Sequence, residues 1–239
     1  MTEARDTRRR GAHRRRRPWP VWAFLRKPYA LPVILAAAIG LIAHSWPPAH
    51  SGTGAPVADR WRTWPAARIF PAMLPGTSPS GAAVRYRLTG VAAEAPCERA
   101  LQPAAARALN RLGCLTTLRA TYADGTQTYV ATAGIAVLSD SAADAASRVA
   151  RRLATQQSGR PRLRPPSVRP AGFAGGAAEG FGERQYVAGA LAAGEHRYVV
   201  LTSAGYADGR PYTPGSPIDG RLPRLARELA VTLHRDLTR

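Results

Sequence analysis

LTTLRATYADGTQTYVATAGIAVL, residues 115–138, is the stretch on which the reading of the fold turns. Thr, Val, Tyr and Ile crowd both halves, and such β-branched and aromatic side chains suit a pleated, half-buried surface. Between the halves stands Asp124-Gly125, a pair favoured where a hairpin reverses. The pattern predicts two antiparallel strands over residues 115–122 and 126–138. A second pair follows the same logic over residues 184–192 and 197–205, around Ala193-Gly194-Glu195. Upstream, Val84, Tyr86 and Leu88 alternate with Arg85, Arg87 and Thr89, the mark of a half-buried strand.

Helical spacing appears between these strands. Cys97, after Pro96, opens a pattern with Leu101, Ala105, Leu109 and Leu112 that Gly113 ends; Pro103 interrupts it and breaks off a short first turn. Ser141-Ala-Ala-Asp144 resembles a capping box, and Ala142, Ala146, Val149 and Leu153 share one face of a helix expected to end near Gln157. Leu222, Leu225, Leu229, Leu233 and Leu237 form the apolar stripe of a last helix with Pro223 in its first turn. The resulting order, β-α-β-β-α-loop-β-β-α, predicts an α+β domain over residues 84–239. It would have an antiparallel sheet of about five strands with helices packed on one face. Tyr-Ala-Asp-Gly occurs at both 122–125 and 206–209, but the flanking elements do not repeat, so a shared turn signal explains it better than duplication.

Ahead of this domain the composition changes twice. Residues 47–83 are rich in Pro and Gly and read as a linker whose Trp61, Trp64, Ile69, Phe70, Met73 and Leu74 are expected to dock onto the domain. Residues 29–46, YALPVILAAAIGLIAHSW, hold no charge. As a helix they would extend about 27 Å, enough to span a bilayer. A cleaved signal peptide, with processing near residue 51, is the alternative. Residues 1–28 form a basic tail with ten Lys and Arg against Glu3 and Asp6, and charge of that sign stays on the cytoplasmic side of a span. The expected arrangement is a cytoplasmic N-terminus, one transmembrane helix acting as a signal-anchor, and an extracytoplasmic domain. Lipid headgroups explain the tail's charge better than nucleic acid does.

The chain's net charge is +19, of which the tail supplies +8, so the remainder is itself basic. Lys27 is the only lysine, and the dominance of Ala, Gly, Pro and Arg fits a GC-rich genome as well as a selected field. The most distinctive basic run, residues 148–169, holds no acidic residue and supplies the candidate anion-binding residues Arg151, Arg152, Arg160, Arg162, Arg164 and Arg169. Guanidinium groups grip phosphate or carboxylate bidentately, and anionic envelope polymers or lipid headgroups are the partners such a surface suits. Another membrane protein is a further possible partner.

Catalytic patterns are scarce. Gly-x-Ser-x-Gly, His-Glu-x-x-His and Ser-x-x-Lys are absent, and the Gly-rich residues 172–182 lack nucleotide-loop spacing. No cofactor or metal is expected. Glu179, Glu183 and Glu195 offer the one carboxylate set for an alternative reading as an envelope hydrolase. A transmembrane regulator acting through the tail is another alternative. Cys97 and Cys114, the only cysteines, bracket the broken helix on the expected outer side; a structural disulfide fits this better than a metal site without histidines or a redox pair.

The basic tail, single span, Pro-rich spacer and Cys-containing domain with Arg119-Ala-Thr-Tyr122 and Tyr129-Val-Ala-Thr-Ala-Gly134 resemble the uncharacterised single-pass envelope proteins of high-GC Gram-positive bacteria. The resemblance implies a membrane-anchored binding or interaction domain and carries no activity to particular residues.

Overall fold

The computed structural model describes residues 56–139, 147–148, 164–194 and 196–239. The expected span at 29–46, the basic tail and nearly all of the helix expected at 141–157 lie outside the described residues. Among the described residues no helix is long and apolar enough to cross a membrane. Residues 54–239 form one compact unit.

Among the described residues, six strands build one antiparallel sheet: β1 (Met73–Thr77), β2 (Ala83–Ala95), β3 (Cys114–Asp124), β4 (Tyr129–Leu138), β5 (Tyr186–Ala193) and β6 (Tyr198–Tyr206), in the order β1-β2-β3-β4-β6-β5. The helices are α1 (Arg60–Thr63), α2 (Ala66–Ile69), α3 (Cys97–Ala100), α4 (Pro103–Asn110) and α5 (Arg221–Thr238). The fold class is thus α+β, as expected. Two details differ.

First, the sheet has six strands, because β1 comes from the stretch read as linker. Its Pro and Gly exclude a long element, yet they permit two single-turn helices and a five-residue strand. Pro75 is tolerated because β1 lies at the sheet edge, where its missing N–H breaks no ladder. The expected docking is real: Ile69, Phe70 and Leu74 are buried in the main core, with Trp61 and Trp64 packed against it. Met73 stays exposed.

Second, the helices do not share one face. Every residue of β4 is buried, so both of its sides need cover. Tyr129, Ala131, Ala133, Ile135 and Val137 point to the main core under α5, whereas Ala136 and Leu138 join Cys97, Leu101, Leu109, Val199 and Leu201 in a second core under α3 and α4. The sheet curls around α5, which touches both β1 and β5 at opposite edges. All five stripe leucines of α5 are buried. At about 2 kcal/mol each, they hold the helix far more strongly than its caps do.

The central hairpin forms, with a different turn. Strand β3 runs through Asp124, and Gln127 rather than Gly125 adopts the left-handed conformation, at φ 56°. The Asp124 carboxylate sets this geometry by accepting the N–H groups of Thr128 and Tyr129 at 2.8 Å and of Thr126 at 3.2 Å. Pro103 does break the first helix, between α3 and α4, and Gly113 (φ 70°) ends the second.

Candidate functional site: a basic groove and an apolar cleft

The break between α3 and α4 exposes backbone groups, and a Pro-rich segment fills it. Val168 pairs with Leu101 as an isolated antiparallel bridge. Around it, Gln102 N–H donates to Ser167 O, Arg169 N–H to Ala100 O, and Ser167 N–H to the Gln102 side chain. Val168 fits over Gly134, whose absent side chain leaves the room; a Cβ there would lie 2.5 Å from Val168 Cγ2. Thr121 and Thr132, hydrogen-bonded to each other, hold Ala171 through its C=O and N–H. The segment is therefore laid across the sheet at a defined register.

This placement creates an open groove of about 400 Å³, lined by Gln102, Pro103, Arg107, Arg164, Arg169 and Glu183 among others. Arg169 donates through Nε to Leu101 O and through Nη1 to Glu183 Oε1 at 3.3 Å. Gln102 donates to the other Glu183 oxygen at 2.9 Å. Arg164 donates to Glu183 O and stacks over both Tyr186 and Tyr212, at 5.2 and 5.4 Å from the ring centroids. Arg107 is exposed on the outer face of α4. Behind them, on β3, burial lowers the Arg119 pKa and the nearby Arg169 charge lowers it further; the Arg119 Nε has no hydrogen-bond partner among the described residues. Three arginines thus line the groove around the Glu183 carboxylate, and it can take an oxyanion through the remaining N–H donors of Arg107, Arg164 and Arg169.

Of the residues singled out from sequence, Arg164 and Arg169 come together here. Arg151, Arg152, Arg160 and Arg162 lie outside the described residues. Arg107 and Arg119 escaped sequence reasoning, since each sits on another element with only its own local pattern to mark it. Among the carboxylates, Glu183 is committed to Arg169 and Gln102, Glu179 accepts from Gly175 N–H within the Gly-rich loop, and Glu195 is outside the described residues.

A second concavity, of about 200 Å³, opens between β1, β2, the β3–β4 turn and the start of α5. Val84, Tyr86, Tyr129 and Leu225 give it an apolar floor, and Arg85, Arg221 and Arg224 line its rim. Polar links stitch the walls: Tyr86 donates to Glu228 at 2.6 Å, Thr77 N–H donates to the same oxygen, and Tyr129 donates to Asp219 at 2.7 Å. Arg221 grips Asp219 and covers the Tyr129 ring at 4.5 Å. The Arg221 hydrogen bond holds the Asp219 carboxyl well below the usual carboxylate range. Burial, then the Asp219 bond, pushes the Tyr129 phenol up to about 12. With its carboxylates already bonded, this cleft offers mainly shape and apolar surface.

The disulfide expected from sequence is present, joining Cys97 and Cys114 with their Cα atoms 6.3 Å apart. An unbroken helix could not bring the two together, so the Leu101–Gln102 break makes the bond possible. The same break receives the 164–172 segment and so positions the groove. Compared with family models, curated proteins and solved structures, the chain matches none.

Proposed function

We propose that this chain is a single-pass membrane protein that displays residues 54–239 outside the cell as a non-enzymatic binding domain. Its ligand is an anionic group of the cell envelope, a wall polymer or a lipid headgroup, held in the basic groove. The observation that carries this reading is the groove itself: Arg107, Arg164 and Arg169 line it, with Arg119 behind, and among the described residues that line it Glu183 is the single carboxylate. The cystine supports the compartment, because disulfides persist in oxidising surroundings. The uncharged residues 29–46 after a basic tail support the anchor.

The solitary Lys27 makes topology simple to test. A membrane-impermeant amine reagent should leave the chain unlabelled in intact cells and label it after lysis. Labelling in intact cells would overturn the orientation; a mature chain without Lys27 would overturn the anchor. For the groove, the purified full chain should bind polyphosphate in a salt-dependent way. Replacing Arg107, which has no hydrogen bond to lose among the described residues, with Gln should weaken binding about tenfold, the value of one charge-assisted hydrogen bond. Unchanged affinity and salt dependence would refute the groove as the site.

A further inference from the structure

Between Asp59 and Glu94 the chain contains no acidic residue, and the first part of that interval is a cluster of Trp and Arg. Arg62 stacks on Trp61 at 4.4 Å, while Arg60 and Arg68 both stack on Trp64, at 4.6 and 4.0 Å. Tyr198 ties the cluster to the sheet, accepting Trp61 N–H and donating to Val57 O, and Arg60 donates to Leu237 O at the end of α5. The inner edges of both indoles pack on the main core. The outward side presents Arg62, Thr63, Pro65, Ala66, Ala67 and Arg68, all exposed. A surface of small side chains and of cations that, among the described residues, stack on indoles and pair with no carboxylate has the composition of the zone where protein meets lipid headgroups.

Chain length makes the same point. Only ten residues separate Trp46, the end of the uncharged segment, from Val57, where the described fold begins its first turn. Fully extended, that is about 35 Å at most. A domain tethered so closely samples the membrane surface continually.

We propose that residues 60–68 form a platform that seats the domain on an anionic phospholipid surface, with Arg62 and Arg68 on phosphate groups and the Trp61 and Trp64 rings at headgroup depth. The inference rests on the membrane-anchored reading for its tether, while the surface itself can be tested apart from it. Each cation near such a surface contributes roughly fivefold to partitioning, so losing both exposed arginines should weaken seating about 30-fold.

The test uses the full chain with a nitroxide attached at Thr63→Cys and, as a control far along the chain, at Thr213→Cys, which is also exposed. Collision with lipid-dissolved oxygen and with a water-soluble nickel chelate is read on phosphatidylcholine vesicles with and without phosphatidylglycerol; flotation reports association. The expected result is a Thr63 label shielded from nickel only when phosphatidylglycerol is present, a Thr213 label exposed in both, and shielding lost in R62Q/R68Q. A chain that floats with vesicles while its Thr63 label stays as open to nickel as that at Thr213 overturns the platform and leaves the anchor standing. A chain that floats only on anionic vesicles, with Thr63 shielded, supports the platform and overturns the anchor. A chain that never floats overturns both.

Discussion

Replacing both cysteines with Ala should destabilise the domain by about 3 kcal/mol through the lost cross-link alone. The bond closes a loop of 17 residues, and constraining a loop of that size in the unfolded chain is worth on the order of 3 kcal/mol at 25 °C. A folded-state contribution adds to this, because Cys97 is buried among Leu101, Leu109 and Val168, and Ala leaves space there. For a domain of this size each kcal/mol moves the midpoint by about 2–4 °C, so thermal unfolding of the full chain should fall by about 6–12 °C. Ala at position 97 also leaves the buried Thr117 hydroxyl, which donates to Cys97 Sγ at 3.6 Å, without that partner. Urea unfolding provides the mechanistic check. If the bond acts mainly on the unfolded ensemble, the double-Ala chain should show a steeper urea dependence than the oxidised protein, as its unfolded state exposes more surface. Reduced wild type keeps the Cys97 sulfur in the core, so it should share the steeper urea slope while being less destabilised than the double-Ala chain. A midpoint shift under about 2 °C, or an unchanged urea slope with the full loss of stability, would refute the reasoning.

Gly134→Ala should cost about 1–3 kcal/mol, because its Cβ would lie 2.5 Å from Val168 Cγ2 and 2.9 Å from Val168 Cβ. Val168→Ala also destabilises, yet the double variant should lose less than the two single losses together, as read by urea midpoints; strict additivity would remove Val168 from the argument. Asp219, held below its unfolded value, contributes stability above about pH 4 that is lost as pH falls through its lower folded value. Asp219→Asn should therefore flatten the acid limb of the stability profile. Tyr129 is the opposite case. Its raised folded value of about 12 means stability is complete below about pH 10 and is lost as pH rises toward 12. Tyrosinate absorbance should show that transition starting earlier in Asp219→Asn, and identical titrations would refute the coupling.

Much of the architecture is legible in the amino-acid order because it depends on short-range repetition. The leucine stripe of α5 recurs every three or four residues, so its buried face can be read without knowing what covers it. The central hairpin announces itself through β-branched and aromatic residues around Asp124, although the carboxylate of that residue, bonding three backbone N–H groups, decides the actual turn. Pro103 marks the break that lets Cys97 and Cys114 meet.

What only the tertiary structure decided has a common physical cause: it depends on partners distant in sequence. A Pro- and Gly-rich stretch has no reason of its own to be a strand, and β1 exists because β2 offers an unpaired edge. The buried residues on both sides of β4 do not say which elements will cover them. Arg107 is an ordinary outward arginine on a short helix until the bridge between Leu101 and Val168 brings Arg164 and Arg169 beside it. Local patterns thus determined the central hairpin, the last helix and the cystine, whereas β1 and the groove arose from long-range backbone pairing that no single stretch encodes.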